Sequence, residues 1–204
     1  MAAYQDNSVL IPGRGAVLIA PAGTASPTYT AIKKWVADGA TGALGDFQPL
    51  GYTSEDDLPK FDADTDGGEK KGAWENDALR LTKTKITESI TVTAVEWNEQ
   101  TLTHRFGPGK VVQADGRFEF PDVYASTEVS ILVLMIDGLD VFGFHYAKAA
   151  TSPDDSIELD PEKFAGMPIK YTILKQTGAP KGSFIGPAFQ QQSEVSDMAT
   201  SDSV

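Results

Sequence analysis

Apolar and polar residues alternate with a period of two along most of the chain, the pattern of strands whose two faces meet different surroundings. GAVLIAP at Gly15–Pro21 predicts a short apolar strand behind a Pro12-Gly13 turn, and Phe47–Ser54 predicts a second. From Ala78 the alternation is long: Leu79 and Leu81 oppose Arg80 and Thr82, and Ile90, Val92 and Ala94 oppose Thr91 and Thr93. TEVSILVLMID at Thr127–Asp137 is apolar on both faces, as a central strand covered on both sides requires. Leu139–Lys148 follows it through a turn at Asp137-Gly138, and KVVQADGRFEFP at Lys110–Pro121 predicts a two-residue hairpin at Asp115-Gly116. Ser156–Asp160 and Met167–Gln176 complete a mostly β framework.

Three stretches break the period. EWNEQTLTHRF, about residues 96–106, has polar helix formers, Asn98, Leu102 and Phe106 at i, i+4 and i+8, and a stop at Gly107-Pro108, so it predicts one helix. Ala22–Asp46, rich in Ala, Gly, Thr and Pro, is expected to wind across a surface on Tyr29, Ile32, Trp35 and Val36. After Gly178 the periodicity is lost, and the chain ends in QQQSEVSDMATSDSV. The expected organisation is one β domain over residues 1–177 and a C-terminal extension, 178–204, ordered in an assembly.

Composition narrows the classes of function. A chain of 204 residues, 41% of them hydrophobic, can bury a real core. The absence of cysteine removes disulfides and thiolate metal sites. No apolar run reaches the length of a membrane helix and the N-terminus lacks the pattern of a signal peptide, so neither membrane insertion nor secretion is expected. A net charge of −12, with no basic cluster larger than Lys33-Lys34 or Lys70-Lys71, argues against nucleic-acid binding by phosphate neutralisation.

Catalytic chemistry finds little support. His104 and His145 sit in no metal-ligand spacing; His104 is expected as a polar residue of a surface or interface, and His145 on the strand face opposite Phe144 and Tyr146. Gly13 and Gly15 lack the third glycine of a dinucleotide loop, and Gly109-Lys110 lacks the rest of a phosphate loop. The carboxylate pairs around Glu55, Asp56-Asp57 and Asp154-Asp155 fall in loop-like segments without an aromatic sugar platform. No catalytic residue and no cofactor is assigned.

FDADTDGGEKKGAW at Phe61–Trp74 begins like a calcium loop, with Asp62, Asp64, Asp66 and Gly67 at positions 1, 3, 5 and 6. Position 9 is Lys70 and position 12, where the closing bidentate Glu belongs, is Ala73, so no metal site is assigned. The whole segment 54–76 carries eight acidic residues against three lysines and is expected to be a long hydrated acidic loop, with Leu58, Phe61 and Trp74 as apolar anchors.

GYTSEDDLPKF at Gly51–Phe61, followed by GAWENDALRLTKTKITESITVTAVEWNEQTL at Gly72–Leu102, resembles the major tail proteins of long, non-contractile-tailed bacteriophages, particularly those of actinobacterial hosts. The likeness covers about residues 10–176. It implies a tail tube subunit made of two packed antiparallel sheets, sandwich- or barrel-like, with one flanking α-helix and long loops. It also implies rings of six copies stacked into a hollow tube for genome ejection, with the inner sheets joined into a continuous β-barrel around the lumen. The 54–76 loop would then reach an adjacent ring through Leu58, Phe61, Asp62, Asp64, Asp66, Lys70, Lys71 and Trp74. The implied partners are the protein itself, the tail terminator, tape measure and tail tip proteins, and double-stranded DNA that passes without specific binding. The implied location is the virion tail, after synthesis in the host cytoplasm, with no membrane contact. A capsid decoration protein, or another virion or adhesion β protein bound to a preformed lattice, is the alternative reading.

Overall fold

The computed structural model of the chain describes residues 9–81 and 83–189. Its elements are, in order, β1 (Arg14–Pro21), α1 (Tyr29–Ala37), β2 (Gln48–Pro49), β3 (Lys60–Gly67), β4 (Lys70–Ala73), β5 (Asn76–Leu81) and β6 (Thr84–Ala94). There follow α2 (Glu99–Phe106), β7 (Lys110–Val112), β8 (Arg117–Glu119), β9 (Glu128–Asp137), β10 (Asp140–Pro153), β11 (Met167–Ile173) and β12 (Gly182–Ile185).

As the alternation predicts, the architecture is mostly β and antiparallel. One eight-stranded sheet runs β2-β1-β9-β10-β11-β6-β3, with β12 also on β10, and β4–β5 and β7–β8 form two small hairpins. Strand β9 lies between β1 and β10 and is buried over nearly its whole length, which accounts for a segment apolar on both faces. The sheet is open but strongly curled. Leu50 N–H donates to the Val17 carbonyl of β1 at 2.9 Å, and a few residues on Ser54 N–H donates to the Thr93 carbonyl of β6 at 2.8 Å. One short segment thus reaches both β1 and β6, and its ladder breaks between Leu50 and Thr53, short of a closed barrel.

Two cores lie on the two faces. The first joins Val17 and Ile19 of β1, Ile131 and Val133 of β9, Ile90 and Val92 of β6, and Ile169 and Tyr171 of β11, and takes Leu102 and Phe106 from α2. The second sets Leu18, Leu132, Leu134 and Ile136 against Ile32, Trp35 and Val36 of α1, with Leu44 and Phe47.

Helix α1 corrects the expectation of a winding segment and makes two flanking helices rather than one. Ile32, Trp35 and Val36 recur at helical spacing and bury one face, while the Thr28 hydroxyl accepts from Ala31 N–H at 3.2 Å as the N-cap. Burying three such side chains contributes about 2 kcal/mol each, enough to outweigh the β-branched and aromatic content of a nine-residue helix. The one helix predicted, about residues 96–106, forms as α2 over Glu99–Phe106, held by an Asn98–Thr101 capping box. Three smaller differences follow from local chemistry. No strand forms over 156–160, where the chain instead makes a wide loop before β11. The β7–β8 connection is a four-residue turn, Gln113–Gly116, because Val112 pairs with Arg117. The turn after β9 lies at Gly138-Leu139, between the partners Asp137 and Asp140. Strand β12 lies beyond residue 177 and pairs with β10; residues 190–204 of the expected extension lie outside the described residues.

Candidate assembly site

The segment expected as a hydrated loop is a β arm. Strand β3 pairs with β6 from Lys60↔Thr91 to Gly67↔Thr84, and β4 pairs with β5 beyond it. Residues 54–59 stay irregular, after the single Thr53–Ala94 bridge, and short breaks at 68–69 and 74–75 separate the strands of the arm. The signal was present in the sequence, since F-D-A-D-T-D itself alternates with period two. Asp is a poor strand former, yet the facing edge of β6 offers a complete ladder, and tertiary pairing overrides propensity.

Register decides which residues share a face. Asp62, Asp64 and Asp66 stand with Ser89, Thr87 and Lys85 on one face; Phe61, Ala63 and Thr65 stand with Ile90, Glu88 and Ile86 on the other. Carboxylates at alternate positions of a strand are about 6.6 Å apart and parallel, so they do not converge on an ion that needs oxygens at about 2.4 Å. No group of three or more metal-ligating residues occurs among the described residues. Every residue of β3 is exposed, and β3 ends the sheet order with one edge unpaired.

The arm bends where β3 gives way to β4. Gly67 and Gly68 both have left-handed φ, +88° and +77°, and a Cβ on Gly67 would come within 2.7 Å of the Lys83 carbonyl oxygen. Two glycines are therefore required at this point. Beyond the bend, Trp74 and Glu75 form the two-residue turn between Ala73 and Asn76, and Trp74 is 101% exposed.

Of the residues singled out by sequence, Phe61, Asp62, Asp64 and Asp66 lie on β3, Lys70 and Lys71 on β4, and Trp74 at the tip. Leu58 is exposed just before the root of the arm. Phe61 points back to the body: its ring packs on Phe144 at 4.6 Å, and Phe144 continues to Phe184 at 5.0 Å. Lys181 ties the segment before β12 to Glu88 of the arm at 2.6 Å. The strands expected from Ala78 onward form the return half of the arm, and what the sequence did not assign to the site is their contribution: Arg80 and the exposed Leu79 on β5, Lys85 and the exposed Ile86 on β6, and Lys83 between them. The alternation from Ala78 signalled those strands, but not what they pair with.

At the root of the arm a cleft of about 960 Å³ opens between Tyr52–Asp57, Lys60, Thr91–Glu96 and the loop Asp154–Pro168. The Lys60 ammonium at 2.5 Å and then the Thr93 hydroxyl, also at 2.5 Å, hold the Asp57 carboxyl below its ordinary value. Arg105 of α2 donates to the Asp155 and Pro168 carbonyls, each at 2.5 Å, and so fixes both ends of the loop that forms one wall. Trp97 Nε1 adds a bond to the Ala165 carbonyl at 3.0 Å.

Both histidines are core residues. His104 is 4% exposed, not a surface or interface residue as expected; its Nδ1 lies 3.0 Å from the Tyr171 hydroxyl, and burial pushes its pKa down to about 4. His145 does face away from Phe144 and Tyr146, buried against Ser130 and the Thr24 carbonyl, each 3.1 Å from Nε2. Each is satisfied by a single structural partner set, and neither lies in the cleft.

A family model described as phage tail tube protein matches residues 2–195. The major tail protein Gp23 of Mycobacterium phage L5 is 32% identical over 186 residues, 84% of this chain and 87% of the relative. The Gp23 major tail protein of Mycobacterium phage D29 is likewise 32% identical, over 181 residues, with the same coverage. No described helix is long and apolar enough to cross a membrane. An acidic antiparallel body with a projecting β arm is thus matched over nearly its whole length, and the chain belongs to the phage tail tube protein family, whose members are structural components of the virion tail.

Proposed function

We propose that the protein assembles into rings of six that stack into a hollow tube, and that the tube conducts the phage genome during ejection. The observation that carries this reading is the β arm, in a chain of this family. An eight-residue edge strand with every residue exposed, leading to a hairpin with a bare Trp at its turn, is surface that a monomer leaves unsatisfied. Leu58, Phe61, Asp62, Asp64, Asp66, Lys70, Lys71 and Trp74 belong to the contact between rings. The tail terminator, tape measure and tail tip proteins cap or fill the ends of the tube, and double-stranded DNA slides through it.

Charge supports the passage of DNA. Six copies of a −12 chain carry −72, and within a narrow bore wall and phosphate lie inside the ~8 Å screening length. An acidic wall does not grip phosphates, whereas each added basic contact strengthens the hold. Arg117 of β8 pairs with Asp115 at 3.1 Å and Glu119 at 3.0 Å, so it adds no free cation to that charge.

Negative-stain microscopy of the purified protein is the direct test. Hollow cylinders with sixfold end views are expected. A protein that stays monomeric at high concentration would overturn tube formation, and a different rotational symmetry would overturn the six-copy ring. Tubes whose affinity for DNA falls steeply with added salt would refute the acidic lumen.

A further inference from the structure

We propose that the β4–β5 tip of one copy docks in the acidic cleft at the arm root of a second copy of this chain, with Trp74 seated against Tyr52 and Phe164. The inference rests on the tube reading above and names both halves of the contact.

The tip is the basic part of an acidic protein. The tip together with the start of β6, residues 69–85, holds five basic residues, Lys70, Lys71, Arg80, Lys83 and Lys85, against three acidic ones, although Lys85 stands opposite Asp66 of β3. That is +2 on a chain of −12, leaving −14 elsewhere. Lys71 and Arg80 are cross-strand partners of like charge; Glu69 pairs with Lys71 at 3.0 Å, and an anionic surface would add counter-charge to both. Trp74 projects from the turn with no cover, and an exposed aromatic at the end of a hairpin that carries Lys70, Lys71 and Arg80 is a side-chain type that anchors interfaces.

The cleft has the complementary character. Seven carboxylates line it against two lysines, and the ion pairs among the described residues leave Glu55, Asp56 and Glu158 unneutralised. Tyr52 and Phe164, 79% and 87% exposed, add apolar surface on its lining. Its volume of about 960 Å³ accommodates a large aromatic with the flank of a hairpin. Its wall is held from behind by Arg105, so the seat exists before anything occupies it.

Donor and acceptor lie on the same chain but apart. The tip forms its extensive contacts only within the β4–β5 hairpin, and Trp74 does not rest in its own cleft. From Lys60 at the cleft to Gly67 at the bend, a paired strand spans about 23 Å. A tip and a seat on unlike surfaces make a head-to-tail contact, which propagates from copy to copy. Repeated around a ring, a contact weak by itself becomes strong.

The test replaces Trp74 with the photo-crosslinking residue p-benzoylphenylalanine in isotope-labelled protein mixed with unlabelled protein. Trp74 is fully exposed, so the exchange leaves the fold intact. Crosslinks between labelled and unlabelled peptides within Tyr52–Asp57 or Ser156–Gly166 are expected. In parallel, Lys71→Glu with Arg80→Glu, or Glu55→Lys with Asp56→Lys, should each lower tube yield about tenfold, and the four together should restore most of it. Tubes whose crosslinks map to another surface, or only within one copy, overturn the docking and leave the tube reading standing. Wild-type protein that forms no oligomer and no intermolecular crosslink overturns both.

Discussion

The rings of Phe61 and Phe144 lie 4.6 Å apart, centroid to centroid, although three ladders separate β3 from β10 in the sheet order. In a flat sheet that separation is about 14 Å, so the contact exists because the sheet curls over the first core. It joins the root of the arm to the body, and a double-mutant cycle on the pair should return about 1 kcal/mol of coupling. Phe61→Ala alone should cost about 1–2 kcal/mol in urea denaturation, since the ring is partly exposed. Purely additive single substitutions would mean that the arm is anchored by its ladder alone.

Stability should fall between pH 6.5 and about 4. Burial depresses the folded-state pKa of His104 to about 4, so the unfolded chain binds the proton first as pH drops through 6.5. The contribution is complete above pH 6.5 and the loss reaches about 3 kcal/mol by pH 4. His145, also depressed by burial, acts in the same direction. His104→Gln should flatten, without abolishing, the slope of unfolding free energy against pH; an unchanged slope would exclude His104 as its source.

Replacing residues 67–84 by Asn-Gly should leave a folded protein that does not form tubes. Asp66 and Lys85 are directly opposed, so a two-residue turn closes the shortened hairpin in register. The excised tip forms its extensive contacts only with itself, so a shift in melting temperature of no more than about 3 °C is expected from calorimetry. Normal tubes from this variant would remove the arm from assembly.

Calcium should not matter to the protein. Three parallel carboxylates on one strand face, with no closing ligand, bind a divalent ion weakly at most. Isothermal titration should show no micromolar site, and tubes should survive a chelator. Dissolution by EDTA would contradict the geometry.

Much of the framework was legible in local pattern. The two-sided apolar run of β9, the alternation of Ile90, Val92 and Ala94 in β6 and the stop of α2 are each written in contiguous residues and formed where expected, whereas Asn98, expected on the helix face, is its N-cap. The misreadings share one cause. α1 was hidden because Ala, Gly and Thr dilute its three buried residues, and what stabilises it is the β1–β9 face beneath. The arm reads as a loop because its composition is that of one, whereas its ladder is supplied by β6.

Contiguous residues suffice to specify an acidic, cysteine-free, mostly antiparallel β chain, because strand period, turn residues and charge are properties of neighbouring positions. They also carry the DADTDG alternation that sets the aspartates of β3 on one face. The folded chain in three dimensions sets β3 against β6 and brings His104 to Tyr171. It alone places Tyr52 and Phe164, more than 100 positions apart, in one cleft. Those outcomes depend on how a twisted sheet curls and which edges it brings together, a relation between distant residues that local pattern does not encode.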